Sequence, residues 1–176
     1  MVLANGALSS KTGGEGKIRE NIIKADLVEG IVALPTKLFY TTQIPVSLWF
    51  LSRDKAQKGK ILFVDARNMG ELVSRSLREL TEKDIQKIAE TFTAFRDGRL
   101  DAEKGFCASA TLKEVEEQDY ILTPGRYVGI SESQDDNEPF EEKMERLTGE
   151  LKELFIESHR LEEQIKKQLA GIGFSL

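Results

Sequence analysis

The sequence predicts an α/β fold in which a mixed sheet with antiparallel edge strands is followed by a helical region that ends in one long helix. Four short apolar runs, rich in Val, Ile, Leu and aromatic residues and bounded by Pro, Gly or charged turns, are typical of strands. A helical stretch separates the first two runs, and a heptad pattern fills the end of the chain. The runs begin at residue 2 and continue at 28–34, 46–51 and 61–64.

The first two strands, with a helix expected over 16–25 between them, predict a right-handed parallel crossover. The glycine-rich stretch 13–16 before this helix has the outline of a phosphate-binding loop. Its spacing argues against one, because Lys17 is followed by Ile18 where a P-loop needs Ser or Thr. Arg19 stands where a dinucleotide fingerprint needs its third glycine. We therefore interpret the stretch as a connecting loop that carries no phosphate.

The third and fourth runs are joined by a polar segment at 52–60, which predicts that they pair antiparallel at an edge of the sheet. Two helix starts follow. Thr81 with Asp84, and Thr111 with Glu114, have the spacing of a capping box.

The chain therefore divides into four predicted segments. They are a sheet-bearing segment at 1–66, a mainly helical extension at 67–131, an acidic linker at 132–137 and a long helical segment at 138–176.

Composition limits the possible functions. The net charge is −5, so the chain lacks the basic footprint of a protein that holds duplex DNA alone, and a nucleic-acid role must be local or shared. The single cysteine and single histidine, Cys107 and His159, can form neither an internal disulfide nor a zinc site. We expect a cytoplasmic protein without a membrane span, since no stretch approaches ~20 apolar residues.

Apolar residues recur at alternating spacings of three and four along the last segment, with only Ser158 interrupting. Such a stripe is the a/d seam of a coiled coil, whereas a helix that lies on its own domain usually has a wider apolar face. A helix over 138–169 would be ~48 Å long. We expect this seam to bind a partner helix. Its members are Met144, Leu147, Leu151, Leu154, Leu161 and Ile165.

Six stretches carry a family resemblance. They are "VLANGALSS", "GEGKIRENIIKADLVEGIVALPTKLFYTTQIPVSLWFL", "ILFVDAR", "GFCASATLKEV", "LTPGRYVG" and "EPFEEKMERL". They occur in this order in the modification (M) subunit of type I restriction-modification systems, and the second and fifth stretches are specific to that family. The sequence resembles these subunits over essentially its whole length.

The resemblance implies an S-adenosylmethionine-dependent adenine-N6 DNA methyltransferase with a Rossmann-like catalytic domain. Residues 1–66 would be the C-terminal third of that domain: its fifth strand and following helix, its sixth and seventh strands, and one extra edge strand. The family's cofactor loop and Asn-Pro-Pro-aromatic motif lie upstream of the matched stretches, and neither occurs in this sequence. The chain thus resembles a C-terminal fragment. We expect S-adenosylmethionine to bind the complete subunit, and no catalytic, cofactor-binding or metal-binding residues in this fragment.

The resemblance also implies one substrate contact. Adenine methyltransferases extrude the target base and stack it against aromatic rings. In the family's broader class, the loop between the sixth and seventh strands supplies such a ring. Here that loop is "LPTKLFYTTQIP" at 34–45, with Phe39 at the matching position and Tyr40 beside it. The alternative is that Phe39 fills the core of a buried connection.

The partners implied by the resemblance are a specificity subunit, a restriction subunit, a second M subunit and duplex DNA, with no membrane. The heptad seam is expected to pack against helices of the specificity subunit. The open alternative is a non-catalytic assembly module, built on the partial sheet and the coiled-coil helix, that begins natively at Met1.

Three other side chains have residue types that could carry chemistry. Cys107 is expected to be a small buried residue, and Trp49 to lie in a strand core. Arg126 could contact a phosphate or a partner carboxylate, and a turn or helix-capping role is an equal alternative.

Overall fold

The computed structural model describes residues 1–41, 43–130, 140–171 and 173–174, which belong to two compact units, Met1–Ser133 and Gln134–Leu176. The strands are β1 (Val2–Ala4), β2 (Val28–Ala33), β3 (Val46–Leu51), β4 (Lys60–Asp65), β5 (Glu71–Leu72), β6 (Arg78–Glu79) and β7 (Cys107–Thr111). The helices are α1 (Glu15–Lys24), α2 (Glu82–Arg96), α3 (Leu112–Glu117) and α4 (Phe140–Gly171). The helix α4 belongs to the second unit, and the other elements belong to the first.

Five strands form one mixed sheet in the order β1-β3-β2-β4-β7. Strand β2 runs parallel to β4 and antiparallel to β3, while each edge strand, β1 or β7, is antiparallel to its neighbour. The predicted mixed sheet with antiparallel edge strands is therefore confirmed. Strands β1 and β2 run in the same direction on either side of β3, so α1 joins strands of like direction, as predicted.

The predicted antiparallel pairing of β3 with β4 is wrong, because β2 lies between them. All the residues of β2 are buried, and Ile31 pairs with Trp49 on one side and with Phe63 on the other. A strand that is buried on both faces gains most at the centre of a sheet, where both of its edges are hydrogen-bonded. This central placement overrides the local hairpin signal of the polar segment 52–60.

Apolar side chains form a core on each face of the sheet. One core includes Ile23 of α1, Val115 of α3 and Trp49, which confirms the expectation for Trp49. The other includes Phe95 of α2 and Cys107. The sheet is therefore packed between α1 and α3 on one face and α2 on the other.

Both predicted capping boxes are present. The Thr81 hydroxyl accepts a hydrogen bond from the Asp84 N–H, and the Thr81 N–H donates to the Asp84 carboxylate at 2.9 Å. Thr111 and Glu114 exchange the same two bonds at the start of α3. The glycine-rich stretch opens α1, and Gly14 has φ 85°, a left-handed conformation that favours glycine.

The predicted domain boundary at residue 66 stays a prediction. Segments on both sides of it contribute to the main sheet, since β7 pairs with β4. The predicted linker 132–137 lies outside the described residues. Within the described ranges, no helix is both long enough and apolar enough to cross a membrane.

Candidate functional site

Three strand ends meet at one edge of the sheet. Strands β1, β2 and β4 run in the same direction. Ala4 and Ala33 pair with adjacent residues of β3, and Ala33 also pairs with Asp65. We call this the carboxyl edge, because it lies beyond the last residues of these strands. In open α/β sheets, ligands bind at such an edge.

The loop 34–45, which joins β2 to β3, lies at the carboxyl edge. Leu38 packs against the core on the α2 face, whereas Phe39 is 42% exposed and Tyr40 is 89% exposed. The exposure of Phe39 does not favour the alternative in which it fills the core, since its neighbour Leu38 occupies that place. The stacking role of the two rings stays a prediction, and both rings are accessible to a ligand.

Main-chain hydrogen bonds tie the ends of this loop to the sheet. The Leu34 N–H donates to the Val46 carbonyl at 2.9 Å, and the Asn5 N–H donates to the Pro45 carbonyl at 3.1 Å. Asn5 follows β1, so three strands meet at the base of the loop. The shape of the outer part of the loop depends on other contacts.

A short hairpin, which the sequence analysis missed, makes those contacts. The Lys37 carbonyl accepts a hydrogen bond from the Arg78 N–H at 2.8 Å, and Lys37 Nζ donates to the Arg75 carbonyl at 3.0 Å. Arg75 lies between β5 and β6, which pair antiparallel. The polar triplet at 74–76 was the available signal for this turn.

Asp65 forms a two-point ion pair at the end of β4. Arg67 Nε and Nη2 donate to its two carboxylate oxygens at 2.8 and 2.7 Å, and this pairing raises the pKa of Arg67. Gly125 packs against the pair, since a Cβ there would lie 3.2 Å from Arg67 Nη2. In the described part of the chain, no cluster of three or more Asp, Glu, His or Cys side chains could hold a metal ion.

The acidic side chains of β2 and β4 are engaged in ion pairs. Ribose hydroxyls of nucleotide cofactors donate hydrogen bonds to a carboxylate beyond a strand end. Asp65 stands at such an end with both oxygens engaged by Arg67. Glu29 lies within β2, with Oε1 3.4 Å from Arg96 Nε. The glycine-rich stretch leads into α1, and Arg19 stands where a dinucleotide fingerprint has its third glycine.

Cys107 and Arg126 make structural contacts. Cys107 is buried, as predicted, and burial raises the pKa of its thiol, so it remains protonated at neutral pH. Arg126 Nη1 donates to Gln118 Oε1 at 3.2 Å, which joins the turn at 124–126 to the C-terminal end of α3. Among the described residues, the side-chain hydrogen bonds of Cys107 and Arg126 go to Asp101 and Gln118, outside the loop 34–45.

The helix α4 carries the predicted seam on its surface. None of the residues along this described helix is buried. Ion pairs between residues four apart flank the seam, with Lys166 2.8 Å from Glu162 and Arg146 3.0 Å from Glu150. The seam residues, all exposed, are Met144, Leu147, Leu151, Leu154, Leu161 and Ile165. Their role as a partner interface stays a prediction.

Known proteins are similar to this chain over almost its whole length. The model of the N-6 DNA methylase family matches residues 1–136. The chain is 53% identical over 176 residues to the HindI methylase subunit of a type I restriction enzyme from Haemophilus influenzae, covering 99% of this chain and 40% of that protein. It is 46% identical over 179 residues to the MjaIX methylase subunit of Methanocaldococcus jannaschii, covering 98% of this chain and 32% of that protein. The chain thus spans less than half the length of these relatives.

The fold has a counterpart among solved structures. The methyltransferase subunit of a type I restriction-modification system from Streptococcus thermophilus superposes with a TM-score of 0.64 at 27% identity, over 73% of this chain and 26% of that one. The predicted fold class, part of a Rossmann-like methyltransferase domain followed by a long helix, is confirmed. The chain belongs to the N-6 DNA methylase family, and its resemblance to the modification subunits of type I restriction-modification systems is confirmed.

Proposed function

We propose that this chain is the C-terminal part of a type I modification subunit, and that the complete subunit methylates N6 of adenine in duplex DNA with S-adenosylmethionine. One observation carries the proposal. The accessible rings of Phe39 and Tyr40 lie at the carboxyl edge, within the stretch that matches the N-6 DNA methylase family. The role assigned to this chain is to hold the extruded base.

Base extrusion explains why an exposed aromatic ring is useful here. The adenine N6 of a duplex is stacked and paired, so an enzyme must rotate the nucleotide out of the helix to reach it. A ring stacked on the extruded base replaces the lost stacking, and such contacts contribute about 1–3 kcal/mol per base. Phe39 is already accessible, so this contact requires no opening of the core.

We assign cofactor binding to the part of the subunit outside this chain. Neither the family's cofactor loop nor its Asn-Pro-Pro-aromatic motif occurs in this sequence, and the matched relatives are more than twice as long as the chain. The alternative, a non-catalytic assembly module, would be favoured by a gene that lacks both the cofactor loop and the Asn-Pro-Pro-aromatic motif upstream of this sequence.

The substitution Phe39→Ala in the complete subunit tests the stacking role. We expect methylation of duplex DNA to slow roughly 5- to 150-fold, which corresponds to the loss of one stacked base, while the affinity for S-adenosylmethionine stays the same. The matched control Phe39→Tyr keeps the ring and should keep the rate. An unchanged rate in a folded Phe39→Ala variant would contradict the proposal.

The second part of the proposed function is assembly through α4. An a/d seam that is exposed along its length suits a partner helix, since each seam residue can insert between residues of that partner. The family resemblance favours helices of the specificity subunit. The restriction subunit, a second modification subunit and duplex DNA complete the proposed complex.

Leu151→Asp tests this interface, because it places a charge in the centre of the seam. We expect the variant to lose association with the specificity subunit while the sheet remains folded. Ile156→Asp is the control, since Ile156 is 63% exposed and lies off the seam. Co-purification of Leu151→Asp at the wild-type ratio would exclude the seam as the interface. Loss of self-association by the isolated chain would instead indicate pairing of two copies.

A further inference from the structure

The conformation of Lys37 sets the path of the loop just before its aromatic rings. Lys37 has φ 67°, a left-handed conformation that residues other than glycine rarely adopt. Its carbonyl accepts the Arg78 N–H at 2.8 Å, and its Nζ donates to the Arg75 carbonyl at 3.0 Å. Two residues further along the chain is Phe39. The β5–β6 hairpin therefore holds the loop next to its proposed functional residue.

The Arg78 side chain in turn holds the hairpin. Its Nη1 donates to the Met69 carbonyl at 3.0 Å and to the Gly70 carbonyl at 2.9 Å. Gly70 has φ 80°, and a Cβ at this position would lie 2.6 Å from the Glu79 carbonyl oxygen. Only glycine fits at position 70, and the Arg78 guanidinium holds the carbonyl groups of Met69 and Gly70 in place.

A further contact joins the hairpin to the core. The Gly70 N–H donates to Asp84 Oδ2 at 3.1 Å, and the same oxygen accepts from the Thr81 N–H and hydroxyl. These bonds cap α2, which is anchored in the core by Phe95. A continuous series of contacts thus runs from the core through α2 and the hairpin to the loop.

We infer that Arg78 is a positioning residue for the base-stacking loop. The inference rests on the proposed function, and it assigns a role to a side chain that touches neither base nor cofactor. A stacked ring contributes only if it is already placed where the extruded base arrives, because small displacements of reacting groups slow enzymes strongly. Without the Arg78 side chain, the hairpin would loosen at Gly70 and release the main-chain bond to Lys37.

Two variants and one control test this role. Arg78→Ala removes the guanidinium. Arg78→Lys keeps one cationic nitrogen, which suffices in principle because a single nitrogen of Arg78 makes both described carbonyl bonds. Arg75→Ala is the matched control: it removes an exposed arginine of the same hairpin, while the main-chain carbonyl that binds Lys37 remains.

Two measurements are made on each variant. Amide hydrogen exchange of the N–H at position 78, in this chain, reports the bond to Lys37, with the buried Ile31 amide as reference for global unfolding. Methylation by the complete subunit reports kcat and the KM for S-adenosylmethionine. We expect Arg78→Ala to exchange faster at position 78 and to lose roughly 10- to 100-fold in kcat at unchanged KM. Arg78→Lys and Arg75→Ala should stay near wild type in both.

Several outcomes would overturn the inference. One is unchanged exchange at position 78 in Arg78→Ala. Another is an unchanged kcat in Arg78→Ala when Phe39→Ala lowers kcat. The third is an equal loss of kcat in Arg75→Ala, which would indicate that the positive charge of the hairpin contacts DNA. If Arg78→Ala unfolds globally, Arg78→Gln takes its place. An unchanged kcat in Phe39→Ala would overturn the stacking function itself, and it is distinguishable because the exchange measurement does not depend on DNA.

Discussion

Arg19 joins three segments of the first unit from a buried position on α1. The residue is 3% exposed. Its Nε donates to the Tyr120 carbonyl at 2.7 Å, and its Nη1 donates to the carbonyls of Ala7 and Ser10 at 3.0 and 2.8 Å. These bonds connect the turn after β1, the helix α1 and the segment after α3. Loss of this side chain should therefore loosen both the crossover and the packing of the segment that follows α3.

The expected cost of Arg19→Met follows from these three bonds. Methionine keeps much of the apolar stem and removes every donor. Hydrogen bonds from a charged group contribute about 1.5–3 kcal/mol each in net terms. Burial opposes them, since desolvation lowers the pKa of Arg19 and thus disfavours its charged form. Allowing for this opposition, we expect the free energy of unfolding to fall by about 3 kcal/mol, a large share of the ~5–15 kcal/mol typical of a domain.

Urea unfolding of the chain, followed by the fluorescence of Trp49, measures this loss. Lys17→Met is the control on the same helix, because Lys17 is exposed and pairs only at the surface with Glu20 in the contacts described. The control should leave the urea midpoint nearly unchanged. A loss below about 0.5 kcal/mol in Arg19→Met, which is the size of an ordinary surface substitution, would refute the inference that Arg19 holds these three segments together.

Titration and binding measurements provide three further tests. Hydrogen bonds from the Thr81 main chain, the Thr81 hydroxyl and Gly70 hold the pKa of Asp84 below its ordinary value. The ionised Asp84 therefore stabilises the fold fully above that ordinary value, and this stabilisation is lost as pH falls through the lowered pKa. Asp84→Asn should flatten this acid-side decline of the urea midpoint. Burial raises the pKa of Tyr127 to about 12. An unfolded tyrosine ionises near ~10, so stability should fall as pH rises between these values, and Tyr127→Phe should lack that fall. The chain alone should give no stoichiometric heat with S-adenosylmethionine in calorimetry, and tight binding would contradict our assignment of the cofactor site.

Local signals in the sequence were sufficient to predict the helix starts. The exchange between Thr81 and Asp84 depends on residues three apart, and so does that between Thr111 and Glu114. Such bonds form together with the helix and do not depend on how the strands pair.

Pairing between distant strands was harder to predict. The placement of β2 between β3 and β4 depends on burial of both of its faces, which short-range patterns do not reveal. Strand β7 was missed because its sequence, "CASAT", lacks the bulky β-branched and aromatic residues typical of strands. It is recruited by pairing with β4, where Ala108 lies opposite Phe63. The position of the loop 34–45 was predicted from the resemblance, but its support by Arg78 depends on contacts distant in sequence.

Arg19 and Arg78 both satisfy carbonyl groups of irregular segments, yet they should respond differently to replacement by lysine. Arg19 spreads its bonds over two nitrogens of one planar group, whose fork lysine cannot reproduce. Arg78 uses Nη1 alone for its two described bonds, and among the described residues its buried Nε has no hydrogen-bond partner. A lysine side chain has no counterpart of that Nε, and two of the three donors on its single nitrogen could serve the same two carbonyls. We therefore expect Arg19→Lys to lose most of the stability that Arg19→Met loses in urea unfolding, and Arg78→Lys to unfold near the wild-type midpoint. Equal losses in the two lysine variants would show that side-chain reach, and not the number of nitrogens engaged, decides what each arginine contributes.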